Sequence, residues 1–310
     1  MTQRNETFAP DAFEPARQAE YKDPASIRKK TTYWKDVWRS FKKNKAAVAS
    51  LFVVSLLVFF VLFGPMLNKF DYRTNDYTAI NLSPNSVHWF GTDNMGRDIW
   101  TRVWQGGRIS LLIAVLATLI PEAIGMLIGG VSGYFGGKVD MLIMRFIDVL
   151  VGIPSLIYMI LLMLVFGSGN VLTLIIAISL TGWMGSARST RGLVLQLKNL
   201  DFVVASETLG AGPMHVIWRR LIPNTLGIRV VSITMSIPGA IFYEAFLSYI
   251  GLGVTPPTPS WGQLIKAAGE NFRYYPYQFI IPCLMVGITM LSFNLIGDGL
   301  RDALDPKLRS

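Results

Sequence analysis

The chain is 310 residues long, 51% hydrophobic and only 16% charged, where an ordinary soluble domain carries about 25% charged residues. That is more apolar surface than one compact water-soluble core hides, which argues against a soluble enzyme or binding domain. The net charge of +9 raises nucleic acid as a partner, and the placement of the basic residues argues against it.

Residues 1–45 are polar and charged, with neither the apolar core nor the cleavage site of a signal peptide. Within them Tyr33, Trp34, Val37, Trp38 and Phe41 recur at helical spacing, with Lys35, Asp36, Arg39 and Ser40 between. This predicts an amphipathic helix along a membrane surface or, more simply, an extension of the first span. Residues 46–67 carry no charge and reach the roughly 20 residues a membrane crossing needs. A polar external segment, 68–108, leads to a second span over about 109–134, interrupted only by Pro121 and Glu122. After a short basic turn at Lys138, residues 149–187 are uncharged and too long for one crossing. Gly167-Ser168-Gly169-Asn170 divides that run into two helices, the first beginning before Val149. The polar stretch 188–224 precedes a fifth span over about 226–252. Thr255-Pro256-Pro257-Thr258-Pro259 then forces an extended loop. A last span over about 274–297 ends in a charged tail. The expected fold is all-α and polytopic, with about six transmembrane helices, and 109–310 as a core of five of them.

An even number of crossings places both termini on one side, and lysine and arginine favour the cytoplasm. Of the 29 Lys and Arg residues, eight lie between Arg28 and Lys45, directly before the first span. Both termini are therefore expected in the cytoplasm. Arg28-Lys29-Lys30 and Lys42-Lys43-Asn44-Lys45 read as topology determinants and contacts for anionic lipid. No nucleic-acid partner is expected.

Cys283 is the only cysteine and sits in an apolar stretch, as a small hydrophobe would. His88 and His215 lie far apart in polar segments, so no metal site is expected. The run ending in Gly137-Lys138 is not a phosphate loop, which would need glycine at Ser132 and a hydroxyl at Val139. The chain is expected to bind no cofactor and to be no enzyme.

Residues 188–224 are long enough to fold. Positions 202–209 have the composition of a short helix that Gly210 can end. Pro213 suits the first turn of a second helix through Trp218 and Arg219, which Pro223 is expected to stop. Such a helix–glycine–helix unit is a lever for force from a soluble partner.

Here the chain resembles the permease subunits of binding-protein-dependent ABC importers. Their cytoplasmic signature is Glu-Ala-Ala, a glycine six residues after the Glu, and an apolar stretch ending in Pro. This chain has Val204-Ala205-Ser206, Gly210 and Leu221-Ile222-Pro223. Val204 replaces the leading acid and Ser206 the second alanine, and Glu207, one turn later, is the nearest carboxylate.

Further segments are similar to the oligopeptide, dipeptide and nickel branch. They are Phe90-Gly91-Thr92-Asp93 with Gly96-Arg97-Asp98 and Gly107-Arg108-Ile109-Ser110-Leu111, and Gly133-Tyr134-Phe135-Gly136-Gly137 with Asp140, Arg145, Asp148 and Pro154. Phe246-Leu247-Ser248-Tyr249-Ile250-Gly251 with Pro259-Ser260-Trp261-Gly262, and the tail from Gly297 to Asp305-Pro306, complete the series. Within that branch the chain resembles the C-type permease of oligopeptide and dipeptide importers.

The resemblance implies a MetI-like (type I) permease in a bacterial cytoplasmic membrane. It implies a second, B-type permease, two cytoplasmic ATPases that carry ATP and Mg, and an external peptide-binding protein. Val204, Ala205, Ser206, Glu207, Gly210 and Pro223 are the ATPase-coupling positions it implies.

Gly125, Gly129 and Gly133 repeat every fourth residue on the second span, as helix-packing glycines do. A conduit-lining face is the other reading. Glu122 and Glu244 lie within expected spans, where a charge costs on the order of 2.5–3.5 kcal/mol. Either they line the translocation pathway and meet the substrate amine or backbone, or they make interhelical hydrogen bonds. The second reading is preferred, since no partner is evident. Asp148 is expected to pair with Arg145. An ion-coupled secondary transporter using the two glutamates would need inverted repeats, and none is evident. A membrane-embedded enzyme would need convergent catalytic groups, and the spans offer two isolated glutamates.

Overall fold

The computed structural model describes residues 33–304, so Arg28-Lys29-Lys30 and Asp305-Pro306 lie outside the described residues. Among these residues the chain is helical, with no strand beyond two isolated bridges. The helices are α1 (Tyr33–Phe41), α2 (Lys45–Phe63), α3 (Ile99–Phe135), α4 (Gly137–Val151), α5 (Ser155–Phe166) and α6 (Val171–Leu197). They continue as α7 (Asp201–Thr208), α8 (Pro213–Val216), α9 (Ile222–Tyr249), α10 (Trp261–Gly269) and α11 (Pro276–Leu304).

Among the described residues five stretches are long and apolar enough to cross a membrane, Lys45–Met66, Ile99–Phe135, Val171–Leu197, Pro213–Tyr249 and Pro276–Leu304. The expected third span is instead a pair, α4 and α5, bent by 82° and counting as a sixth crossing if it is one span. Pro154 causes the break. It stands at the N-cap of α5 with an extended ψ of 130°, it lacks the N–H a continuous helix would need, and it disfavours helical geometry at the residue before it.

The second span also starts earlier than expected, at Ile99 instead of 109. Asp98 is the reason, because its carboxylate caps α3 by accepting from the Thr101 N–H at 2.9 Å and the Thr101 hydroxyl at 2.7 Å. The same carboxylate accepts from the Asn68 amide at 2.8 Å and lies 2.9 Å from His88 Nδ1. One buried acid thus fastens the 68–98 segment to the start of α3. Asp98→Ala is expected to cost about 2 kcal/mol, the upper end for a lost cap, because it also strands the Asn68 and His88 donors. Thermal unfolding of the purified protein checks this, and an unchanged midpoint would refute it.

The bundle is built on α3 and α6. Gly125, Gly129 and Gly133 face Ser186, Ala187, Thr190 and Val194, and a Cβ on any of the three would collide with α6. Pro121 lies inside α3 without ending it, and its ring lodges against Gly182, where an added Cβ would stand 3.0 Å from it. Ile113, Ala114 and Ala117 of α3, Leu174, Ala177 and Ile178 of α6 and Ile237, Ala240 and Ile241 of α9 form the main core. Around it, α2 and α11 present broad apolar faces, as do α4 and α5, with Phe52 69%, Leu142 74% and Val165 75% exposed. Apolar faces of this size need lipid or a partner protein to cover them.

Residues Tyr33 to Phe41 form a helix whose apolar residues divide between two tasks. Val37 and Phe41 are buried against Ile296 and Ala303 of α11, whereas Trp34 and Trp38 remain about half exposed.

Candidate functional site

Two groups of residues stand out, a polar end built around α7 and a set of charged groups inside the bundle. At the polar end, α7 ends in a Schellman turn. Gly210 adopts φ +84°, its N–H reaches Glu207 O at 2.9 Å, and Ala211 N–H reaches Ser206 O at 3.1 Å. Val203 packs on Val216, Ile217, Leu221 and Val194, and Ser206 is buried beside it. Val204, Ala205, Glu207, Leu209 and Gly210 are exposed, Leu209 at 88%. Glu207 accepts from the Tyr134 hydroxyl at 2.7 Å and so ties α7 to the end of α3.

Pro223 does not stop the second short helix as its sequence context predicts. A π-helical turn, Ile217–Leu221, joins α8 to α9 without interruption. In that turn the Ile222 N–H bonds to Ile217 O, one residue further back than in an α-helix. The wider turn and the position of Pro223 in the first turn of α9 mean that its missing N–H interrupts nothing. The α7–Gly210 unit is therefore continuous with a helix that runs through the bundle.

Ion pairs brace the same end. Asp140 accepts from Arg191 at 2.5 and 2.6 Å and from Ser132 at 2.5 Å, joining α3, α4 and α6. Asp148 pairs with Arg188 of α6 at 2.5 Å, and not with Arg145. Arg145 lies three residues before it on α4, and the pair that forms joins two helices.

Inside the bundle, Glu122 of α3 pairs with Arg229 of α9 at 3.0 Å, and Arg229 also donates to Ser189 of α6 at 2.7 Å. Both charged side chains are buried, 9% and 1% exposed. Burying two charges is tolerated only when they are paired, and Arg229 is the partner that sequence reasoning missed. The signal was present in part, since Arg229 is the one base in the expected fifth span, with Glu122 and Glu244 as the two acids it could meet.

Glu244 is fully buried elsewhere, accepting from Ser110 at 2.8 Å and Ser248 at 2.9 Å. Ser110 in turn accepts from the Trp261 N–H at 3.1 Å, so this acid makes an interhelical hydrogen bond that seats α10 on α3 and α9. The two glutamates are not brought together. Among the described residues no group of three or more His, Cys, Asp and Glu side chains could hold a metal ion.

Sequence comparison decides the family. Residues 125–310, more than half of the chain, match the binding-protein-dependent transport system inner membrane component. The chain belongs to this family. Residues 32–84 of this inner membrane component also match the N-terminal transmembrane domain of oligopeptide transport permease C. It is 45% identical to the oligopeptide transport system permease protein OppC of Bacillus subtilis, covering 96% of this chain and 97% of that protein. It is 43% identical to the dipeptide transport system permease protein DppC of the same organism, over 97% and 94% of the two chains. OppC of Escherichia coli is 42% identical over 89% of this chain and 92% of its own length. A chain of the inward-facing MetNI methionine ABC transporter gives a TM-score of 0.49 at 18% identity, covering 64% of this chain and 94% of that one. As a family member the chain is a multi-pass membrane permease subunit.

Proposed function

We propose that this chain is the C-type permease of an ATP-driven importer of oligopeptides or dipeptides in a bacterial cytoplasmic membrane. It pairs with a B-type permease to enclose the pathway. Two cytoplasmic ATPases supply the work, and an external binding protein delivers the peptide. Both termini and α7 lie in the cytoplasm. The chain has no ATPase site of its own, and ATP and Mg are bound by the partner subunits.

One observation carries the coupling role. The exposed face of α7, bearing Val204, Ala205 and Glu207, is rigidly joined through Gly210, α8 and the π-turn containing Leu221 to α9. A push on α7 by a closing ATPase therefore tilts α9 as a semi-rigid body. Ser206 lies on the inward side and fixes the unit. Pro223 sits in the first turn of α9, where its missing N–H leaves the passage from π to α geometry unbroken. Glu207, held by Tyr134, stabilises the lever and leaves the apolar face of Val204 for the partner.

The test is uptake of a labelled di- or oligopeptide by the reconstituted complex, with and without ATP. Uptake only with ATP is expected. Robust accumulation on an ion gradient alone would sink the reading, as would protease cleavage of residues 201–213 from the external side.

Gly210→Val is expected to abolish ATP-driven uptake while the complex still assembles. Its φ of +84° costs a β-branched residue roughly 1–2 kcal/mol, enough to displace the turn and far too little to unfold a bundle of this size. Normal transport by an assembled Gly210→Val complex would show that the turn is not part of the lever.

A further inference from the structure

A cavity of about 270 Å³ lies between α3, α5, α6 and α9, and its polar wall is made by Thr118, Glu122, Thr181, Ser236 and Tyr243. The hydrogens of that wall are largely committed. Thr118 donates to Ala114 O at 2.7 Å, Thr181 to Ile178 O at 2.9 Å and Ser236 to Ser232 O at 2.8 Å, each within its own helix. A hydroxyl that has donated its proton offers only lone pairs to a neighbour. Glu122 gives Oε1 to Arg229 at 3.0 Å, and its other oxygen accepts no hydrogen bond from the described residues. Only the Tyr243 hydroxyl keeps a proton to give. The wall is thus an array of acceptors around a carboxylate, and Gly239, with nothing within 4 Å of where its Cβ would stand, leaves room beside them.

An array of this kind fits a cationic donor and disfavours an anion, to which the wall offers a single free hydrogen, on Tyr243. From this hydrogen-bond inventory we infer that the cavity is a subsite for a primary ammonium group, either the amino end of a peptide or a lysine side chain. Arg229 holds Glu122 from behind and orients its carboxylate, whose free oxygen receives the ammonium with help from Thr118 and Thr181. The inference rests on the peptide-importer reading for the source of the ammonium, but its chemistry can be tested without transport.

The test uses the complete transporter purified from membranes, with Cys283→Ser removing the native thiol. Gly239→Cys then places one thiol in the cavity, and Leu209→Cys, in a separate protein, serves as the exposed reference. Each is reacted with a cationic ammonium-bearing thiosulfonate and an anionic sulfonate-bearing one. Relative to the reference, the cavity thiol is expected to prefer the cationic reagent by about tenfold, what one hydrogen bond between the ammonium and the free Glu122 oxygen is worth. Glu122→Gln should erase the preference, and Thr118→Val, which leaves the Glu122–Arg229 pair intact, should reduce it. A peptide with a free amino end should slow the cationic reaction more than its N-acetylated form. Equal rates for the two reagents, or no reaction at the cavity thiol while the reference reacts, would overturn the inference. A strong cation preference in a complex that takes up no peptide would instead uphold the ammonium site and reject the importer reading.

Discussion

Arg229→Met is expected to destabilise the folded permease by about 3–5 kcal/mol, the cost of leaving a buried charge without its partner. Glu122 is 9% exposed and its only ionic partner among the described residues is Arg229, on the neighbouring helix α9. Removing the guanidinium leaves the buried carboxylate without a counter-charge and also deprives Ser189 of a donor at 2.7 Å. The double variant Glu122→Met/Arg229→Met should recover most of the loss, because two packed thioether chains need no counter-charge. Thermal unfolding of the wild type, both single variants and the double variant yields the coupling energy directly. Additive single losses would mean that the two groups do not support each other, and the account of how this acid is tolerated would fail.

How much of this was legible in the sequence depends on the range of the interaction. The spans were legible because a membrane crossing needs an uninterrupted apolar run, and Lys45–Met66 and Pro276–Leu304 show one. Gly210 was legible because a helix end needs a residue that tolerates positive φ. Pro154 and Pro223 have the same local chemistry and opposite outcomes. Pro154 stands where α4 and α5 bend by 82°, whereas Pro223 follows a π-turn that absorbs its missing N–H. No local rule separates the two. Charge partners were harder still. Asp148 has Arg145 three residues away on its own helix and pairs with Arg188, and Glu122 finds Arg229 across 107 positions. Such choices are fixed only when helices that are distant in sequence come together.

The tightest of these encounters is at Gly129, and the largest packing effect is expected there. A Cβ at this position would run into the Ala187 carbonyl oxygen and come within 2.8 Å of Thr190 Cβ. A side chain can rotate away from such a clash, whereas a backbone carbonyl inside α6 cannot move unless the helix does. Gly129→Val should therefore force α3 and α6 apart and cost about 3 kcal/mol, at the upper end for overpacking. The shift would reach Gly125 and Gly133, which press on Ser186 and Val194 in the same seam. It would also reach the Asp140–Arg191 pair that braces its end. Gly287→Ala on α11 is the matched comparison, since nothing lies within 4 Å of its added methyl, and it should unfold at the wild-type temperature or slightly above. If Gly129→Val and Gly287→Ala unfold at the same temperature, close contact at this seam does not hold the bundle together, and the glycines of α3 would have to be assigned to the other reading, a surface open to a conduit.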